Sequence, residues 1–81
     1  MTENQTSAIL PRGSTIGIFG GGQLGRMLSL AAARLGYKTH IYCPSADCPA
    51  SHVSQRQTIA DYTDKAALLE FSQSVDVITY E

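Results

Sequence analysis

Three glycines, Gly20, Gly22 and Gly25, have the spacing in this chain that is best suited to chemistry. They follow the pattern G-x-G-x-x-G, with a strand-like apolar run before them and a helix-like run after them. The first glycine permits a tight turn, the second lets the backbone approach a ligand, and the third lets the helix pack close to the strand. Unpaired N–H groups in the first turn of the helix can hold an anion, usually a phosphate. The spacing predicts a phosphate loop, and a tight turn without any ligand is the alternative.

The two cysteines and a nearby histidine are the other residues that could bind a ligand. Cys43, Cys48 and His52 have the spacing C-x4-C-x3-H, with no fourth ligand in reach along the sequence. Because zinc sites ordinarily use four ligands in other patterns, we expect no metal here, only two free thiols and a loop histidine. No nucleophilic Ser/His/Asp set and no paired carboxylates are visible, so we expect no catalytic residue in this chain.

The elements that position these residues follow from the periodicity of the sequence. Runs of β-branched and aromatic residues predict strands, and apolar residues at three- and four-residue steps predict helices. In chain order the predicted elements are strand Thr15–Phe19, helix Gly22–Leu35, strand Lys38–Tyr42, one helical turn at Ala50–Val53, strand Gln57–Ala60, helix Asp64–Ser74 and strand Asp76–Tyr80. This βαββαβ order predicts an α/β fold, with a Rossmann-like parallel sheet and right-handed crossovers.

The first predicted helix carries a stripe of larger side chains that we expect to face the core. Its members recur at helical spacing, and they are Leu24, Met27, Leu28, Ala31 and Leu35. Gly36 stands where a left-handed residue commonly ends a helix, and Gly17 inside the first strand indicates close approach of another element. Either Thr63 or Asp64 can cap the second helix.

The end of the last strand should lie beside the glycine loop. In the common doubly wound order, the first and fourth strands are neighbours at the switch point, where ligands bind. Tyr80 and Glu81 therefore fall next to the loop Gly20–Gly25. A carboxylate so close to a phosphate would repel it, so we expect Glu81 to bind a sugar hydroxyl or an amine. A solvated end of the chain is the alternative for Glu81.

A dinucleotide site of the dehydrogenase type needs a further acid at the end of the second strand. That acid stands about 20 residues past the glycines and binds the ribose hydroxyls. The corresponding positions hold His40, Tyr42 and Cys43, and the first acid, Asp47, lies beyond Pro44. No basic cluster for a 2′-phosphate is present either. The first half of an NAD(P)-dependent dehydrogenase domain is therefore a disfavoured alternative.

Composition limits the chain to one small domain without a strong electrostatic partner. The 81 residues are 43% hydrophobic and 16% charged, with a net charge of −1. This charge argues against a general grip on nucleic acid or an acidic membrane, and no apolar run approaches the roughly 20 residues that span a bilayer. The polar start lacks the features of a signal peptide, so we expect a cytoplasmic protein. Residues 1–14 are expected to be a flexible lead-in, and residues 15–81 to form the domain.

A longer stretch around the glycines is similar to a known enzyme family. The run Gly-Gly-Gly-Gln-Leu-Gly-Arg-Met-Leu at Gly20–Leu28, followed by Ala31–Tyr37, resembles the start of the N5-carboxyaminoimidazole ribonucleotide synthetases. These are the ATP-dependent subunits of phosphoribosylaminoimidazole carboxylase, ATP-grasp ligases of purine biosynthesis. The resemblance continues at His40–Tyr42, Ser51–Val53, Ala60–Tyr62 and Asp76–Glu81. It covers nearly everything after residue 14.

The resemblance implies that the chain is the pre-ATP-grasp domain of such a ligase, and that later domains of the parent hold ATP and Mg²⁺. The parent enzyme would use ATP to activate bicarbonate as carboxyphosphate. The exocyclic amine of aminoimidazole ribonucleotide would then be carboxylated, with ADP and phosphate released. By itself this chain is expected to bind neither ATP nor Mg²⁺ and to be inactive, and the parent is expected to be a homodimer.

The resemblance also assigns roles to single residues. It implies that four loop residues line the ribonucleotide site, namely Gly21, Gly22, Gln23 and Leu24. Backbone N–H groups would serve the phosphate, the Gln23 side chain would make a hydrogen bond, and Glu81 would bind ribose hydroxyls. These are positioning roles, which raise a rate through orientation. Family members often carry Asp where this chain has Cys43, so any role of that acid would be missing here. A nucleotide- or phosphate-binding module complete in itself is the remaining alternative.

Overall fold

The computed structural model describes residues 10–80, and every predicted strand and helix is present in it. In chain order the elements are β1 (Thr15–Phe19), α1 (Gln23–Arg34), β2 (Lys38–Cys43), a 3₁₀ turn (Pro49–His52), β3 (Arg56–Ile59), α2 (Lys65–Gln73) and β4 (Val77–Tyr80). No boundary differs from the prediction by more than one residue. Residues 1–9 and Glu81 lie outside the described part, so the lead-in over residues 1–14 and the domain boundary at residue 15 stay predictions.

The strands form one parallel sheet in the order β3-β2-β1-β4. β1 is central, because Phe19 at its end pairs with Tyr42 of β2 on one side and with Tyr80 of β4 on the other. The sheet confirms the predicted Rossmann-like α/β fold and the neighbouring positions of the first and fourth strands. The carboxyl ends of the strands share one edge, and ligands of doubly wound folds bind at such an edge.

Both faces of the sheet are covered, which explains why Thr39–Cys43 of β2 is buried along its whole length. On the α1 face a buried cluster contains Ile18, Ile41, Cys43, Cys48 and Ala50. On the α2 face the buried Phe71 ring contacts the rings of His40 and Tyr42, with centroids 5.0 and 5.2 Å away. β2 therefore lies between the α1 side of the molecule, which includes the 3₁₀ turn, and α2 on the other side.

Gly17 marks the point where α2 and the turn after it come closest to the sheet. A Cβ on Gly17 would stand 2.9 Å from Phe71 Cζ and 2.9 Å from Val75 Cγ2, closer than real Cβ atoms come to their neighbours. A side chain here would therefore push the helix outward and uncover Phe71. This contact confirms the close approach predicted from a glycine in the strand interior.

The ends of both helices have the predicted chemistry. Asp64 is the cap of α2, since its Oδ1 accepts a hydrogen bond from the Ala67 N–H at 3.0 Å. Thr63 instead donates through its N–H and its hydroxyl to the Asp61 carboxylate, and these bonds lower the pKa of Asp61. Gly36 follows α1 with φ at +89°, a backbone conformation that glycine adopts without strain.

The predicted core stripe of α1 is wrong at every position except Leu28, which packs against the core. Met27 is 63% exposed and Leu35 is 64% exposed, while Leu24 and Ala31 also face outward and Leu28 is partly buried. The face toward the sheet carries small residues, namely Gly25, Ser29 and Ala32. Small side chains let the helix axis approach the sheet, so the larger apolar residues are turned away from it. Within residues 10–80, no helix combines the length and the apolar character that crossing a bilayer requires.

Candidate functional site

The candidate site is the glycine loop, Gly20–Gly25, which joins the carboxyl end of β1 to the start of α1. Gly20 has φ at +129°, a region that side chains rarely allow, and its N–H donates to the Tyr42 carbonyl oxygen at 3.0 Å. The chain can therefore turn sharply while the end of β1 stays paired with β2. This confirms the turn-forming role predicted for Gly20.

Within residues 10–80, no side chain caps the first turn of α1. Gly22 is the residue before the helix, with φ −80° and ψ −160°, and its carbonyl oxygen accepts from the Arg26 N–H at 3.0 Å. No acidic residue lies in this turn. The side chains of Gln23 and Leu24 are exposed beside it. A helix start without a side-chain cap or an acid has N–H groups and a dipole available for an anion.

Gly21 has no room for a side chain, although the G-x-G-x-x-G pattern does not require a glycine there. A Cβ on Gly21 would stand 2.9 Å from the Cys43 Sγ and closer still to the Cys48 Sγ. The Gly21 carbonyl oxygen accepts a hydrogen bond from the Ala50 N–H at 2.9 Å. Gly21 thus anchors the loop on the 3₁₀ turn beneath it. The available sequence signal was the middle glycine of the run Gly20–Gly22, which the motif leaves unexplained.

The structure brings together two thiols that sequence reasoning treated as separate. Cys43 ends β2, Cys48 precedes the 3₁₀ turn, and both are free and buried. Gln57 Nε2 donates to both sulfur atoms, at 3.2 Å to Cys43 and 3.4 Å to Cys48, and the Cys43 S–H donates to the Ser45 carbonyl oxygen at 3.1 Å. Burial, with the adjacent Cys48 thiol as a second cause, raises the pKa of the Cys43 thiol.

His52 does not join these thiols. Its Nε2 lies 2.6 Å from the Asp47 Oδ1, and both side chains are exposed. Among residues 10–80, no three His, Cys, Asp or Glu side chains converge on a point that could hold a metal ion. Asp47 also lies far from the role of a ribose-binding acid, because it stands in the loop after β2 and contacts His52 instead.

Aromatic rings cover the α2 side of the same sheet edge. The Phe19 ring lies 5.3, 4.8 and 5.8 Å from the rings of Tyr42, Tyr62 and Tyr80, measured between centroids. A cavity of about 300 Å³ adjoins them, lined by Phe19, Leu68, Phe71, Ser72, Ile78 and Tyr80. Its lining from residues 10–80 has no charged side chain that would hold a phosphate, so the glycine loop is the better anion site.

Tyr80 is the described residue that lies nearest along the chain to the predicted acid. It pairs with Phe19, the residue directly before Gly20. Glu81 itself lies outside the described residues, so its predicted contact with ribose hydroxyls stays a prediction. The structure brings the end of β4 to the loop, as the strand order predicted.

A parallel sheet in which the strand β1 leads through a glycine loop into α1 defines a Rossmann-like domain. The sequence identifies the group within this class. Residues 13–81 match the ribonucleotide synthetase preATP-grasp domain, and the chain belongs to that family.

Similar proteins have consistent names. The chain is 61% identical over 72 residues to the N5-carboxyaminoimidazole ribonucleotide synthase of Brucella melitensis, covering 89% of this chain and 20% of that protein. It is 57% identical over 76 residues to the bifunctional purine synthesis protein purC/E of Dictyostelium discoideum, covering 94% of this chain and 8% of that protein. N5-carboxyaminoimidazole synthetase from Staphylococcus aureus, solved with ADP, superposes with a TM-score of 0.86 at 49% identity over 89% of this chain and 19% of that one. The chain therefore spans a fifth or less of the relatives that it matches.

Proposed function

We propose that this chain is the ribonucleotide-binding domain of an ATP-dependent ligase. The ligase would carboxylate 5-aminoimidazole ribonucleotide with bicarbonate to N5-carboxyaminoimidazole ribonucleotide, in purine biosynthesis. Family membership and the names of the relatives support this activity. The structural observation that carries the proposal is the first turn of α1, which contains no acid, has no side-chain cap from residues 10–80 and lies at the ligand edge of the sheet.

The loop residues have distinct roles in this proposal. The backbone N–H groups of Gln23 and Leu24 hold the phosphate of the ribonucleotide, because the helix start favours an anion. The exposed Gln23 amide makes a hydrogen bond to the ligand, and Leu24 contacts it beside the loop. Gly21 contributes through its backbone, since the thiols below it leave no space for a side chain. Glu81 binds the ribose hydroxyls. Each residue positions the substrate, and none transfers a proton.

The remaining parts of the reaction belong to the parent protein. The S. aureus relative was solved with ADP, which supports a nucleotide site in the parent. We place ATP and Mg²⁺ in domains beyond this chain, which alone is inactive. The parent is proposed to be a cytoplasmic homodimer that forms carboxyphosphate from bicarbonate and ATP and transfers the carboxyl group to the exocyclic amine.

Titration of the ¹⁵N-labelled chain tests the proposed ligand. Aminoimidazole ribonucleotide should shift the backbone amides of Gly21–Leu24, and NAD should leave them in place. The Gln23→Ala variant should bind the ribonucleotide about tenfold more weakly, the cost of one or two lost hydrogen bonds. Gln73→Ala, which changes an exposed glutamine on α2, is the matched control and should bind normally. Shifts with NAD and none with the ribonucleotide would overturn the assignment.

A further inference from the structure

The thiol pair below the glycine loop has a geometry that the proposed carboxylation does not use. Cys43 and Cys48 are the two cysteines of the chain, and both are free. Both sulfur atoms crowd the position of a Gly21 Cβ, and both accept from the same Gln57 nitrogen. Because both thiols lie against Gly21 and against the Gln57 Nε2, they are close neighbours in space.

The loop of residues 44–47, which joins the two cysteines, lets their sulfur atoms approach each other. Cys43 ends a rigid strand, whereas Cys48 follows the exposed loop residues 44–47. A disulfide needs an S–S distance of about 2.05 Å and a Cβ–Cβ distance near 3.8 Å, so the loop side has to bring Cys48 against Cys43. A bridge that closes so short a loop gains little from restricting the unfolded chain. Such a bridge is therefore reduced more easily than a structural one.

We propose that Cys43 and Cys48 form a reversible oxidation site, which a hydroperoxide closes into a disulfide beneath the glycine loop. The inference is independent of which ribonucleotide the loop binds. It concerns the two thiols and the backbone that rests on them.

Cys48 is the residue that reacts first, because 8% of its surface is exposed and only 2% of the surface of Cys43 is. The Cys48 sulfur attacks one peroxide oxygen, the O–O bond breaks, and the departing oxygen takes the thiol proton, which leaves a sulfenic acid on Cys48. The Cys43 sulfur then attacks the Cys48 sulfur and the S–O bond breaks. The hydroxide that leaves takes the Cys43 proton and becomes water. Two thiols have lost two electrons to one peroxide, and both oxygens end in water or alcohol.

Closure of the bridge would move the support of the loop. Gly21 packs directly on both sulfur atoms, and its carbonyl oxygen is bound by Ala50, two residues after Cys48. Drawing Cys48 toward Cys43 removes sulfur from below Gly21 and pulls the 3₁₀ turn with it. The backbone amides of the loop should therefore respond to the redox state of the pair.

Hydrogen peroxide added to the reduced 81-residue chain tests the proposal. The monomer should lose about 2 Da, the mass of the two thiol hydrogens, and both thiols should become unreactive to a maleimide in denaturant. A thiol reductant should restore the original mass and the reaction of both thiols with the maleimide. A digest should contain one peptide with Cys43 linked to Cys48. Oxygen adducts on the separate cysteines, or bridges only between two chains, would overturn the proposal.

Serine variants distinguish a reaction of the cysteine pair from oxidation of each cysteine alone. Cys43→Ser should stop at a sulfenic or sulfinic acid on Cys48, and Cys48→Ser should react more slowly because the remaining thiol is more deeply buried. In the wild-type chain the amides of Gly20–Gly25 should shift on oxidation and return on reduction. Unchanged loop amides after complete bridge formation would contradict the coupling to the loop, and this readout needs no variant that might misfold.

Discussion

At the scale of single residues, His40 shows how a buried polar side chain is accommodated in the sheet. Its Nε2 lies 2.7 Å from the Thr58 hydroxyl oxygen and its Nδ1 lies 3.2 Å from the Ser74 hydroxyl oxygen. Because the Ser74 hydroxyl donates to the Phe71 carbonyl oxygen, it accepts from Nδ1–H, and Nε2 accepts from Thr58. Burial, and secondarily the charge of Arg56, lower the pKa of His40. The neutral imidazole is the form that the fold stabilises.

The His40 environment predicts a pH-dependent stability. The unfolded chain binds a proton near pH 6.5 and the folded chain only at lower pH, so the free energy of unfolding should fall as the pH drops below about 6.5. His40→Gln should remove this loss between pH 7 and pH 5, measured by urea unfolding. The control His52→Gln, which removes an exposed imidazole, should keep it. An unchanged pH slope in His40→Gln would contradict the assignment.

The crowding of the Gly21 Cβ position by two sulfur atoms predicts that a methyl group there destabilises the fold. Gly21→Ala should destabilise the chain by about 1–3 kcal/mol, since the added methyl group overpacks against two sulfur atoms. Combining it with Cys48→Ala should recover part of the cost, because the closer sulfur is then absent. Urea unfolding of the four species in this cycle measures the coupling. Strict additivity would show that the methyl group and the Cys48 sulfur do not meet.

The sequence predicted residues whose chemistry is local and missed those whose neighbours come from elsewhere. The turn at Gly20, the cap at Asp64 and the close approach at Gly17 follow from what each residue type allows in a strand or helix context. The pairing of Cys43 with Cys48 does not, because it depends on how the 3₁₀ turn folds back under the glycine loop. A spacing pattern contains no information about that fold.

At the scale of elements, the open start of α1 predicts a competition between stability and binding. Gly22→Ser places a preferred capping oxygen at a backbone conformation that serine can adopt. It should raise the free energy of unfolding by about 0.5 kcal/mol, since serine caps a helix better than glycine by a few tenths. Its hydroxyl would occupy an N–H group of the first turn, so ribonucleotide binding should weaken. Tighter binding together with higher stability would contradict the role of these N–H groups.

The limits of the elements were predictable, whereas the orientation of α1 was not. Glycine, proline and the capping residues mark the ends of each element, and all predicted ends lie within one residue of the observed ones. The prediction of the inner face relied on size, and it selected Met27 and Leu35. The face that packs on the sheet is the small one, at Gly25, Ser29 and Ala32. Periodicity alone cannot distinguish a core of large side chains from a close approach of small ones.

At the scale of the whole molecule, the strand order determines which residues lie beside the glycine loop. One strand order, β3-β2-β1-β4, brings the end of β1 and the end of β4 to the same edge. Alternating strands and helices predicted this order because doubly wound sheets place the first and fourth strands side by side. The rest of the proposed active site lies in parts of the parent that are absent here, since the chain spans a fifth or less of its relatives.

The most direct measurement of the central claim is the activity of a hybrid enzyme. This chain would replace the matching segment of the Brucella melitensis synthase, to which it is 61% identical. ADP release should then require ATP, bicarbonate and aminoimidazole ribonucleotide together. In the hybrid, Gln23→Ala should raise the KM for the ribonucleotide about tenfold with little change in kcat, as expected for a group that binds substrate and transition state alike. A hybrid that binds ADP but shows no ribonucleotide-dependent release would contradict the account.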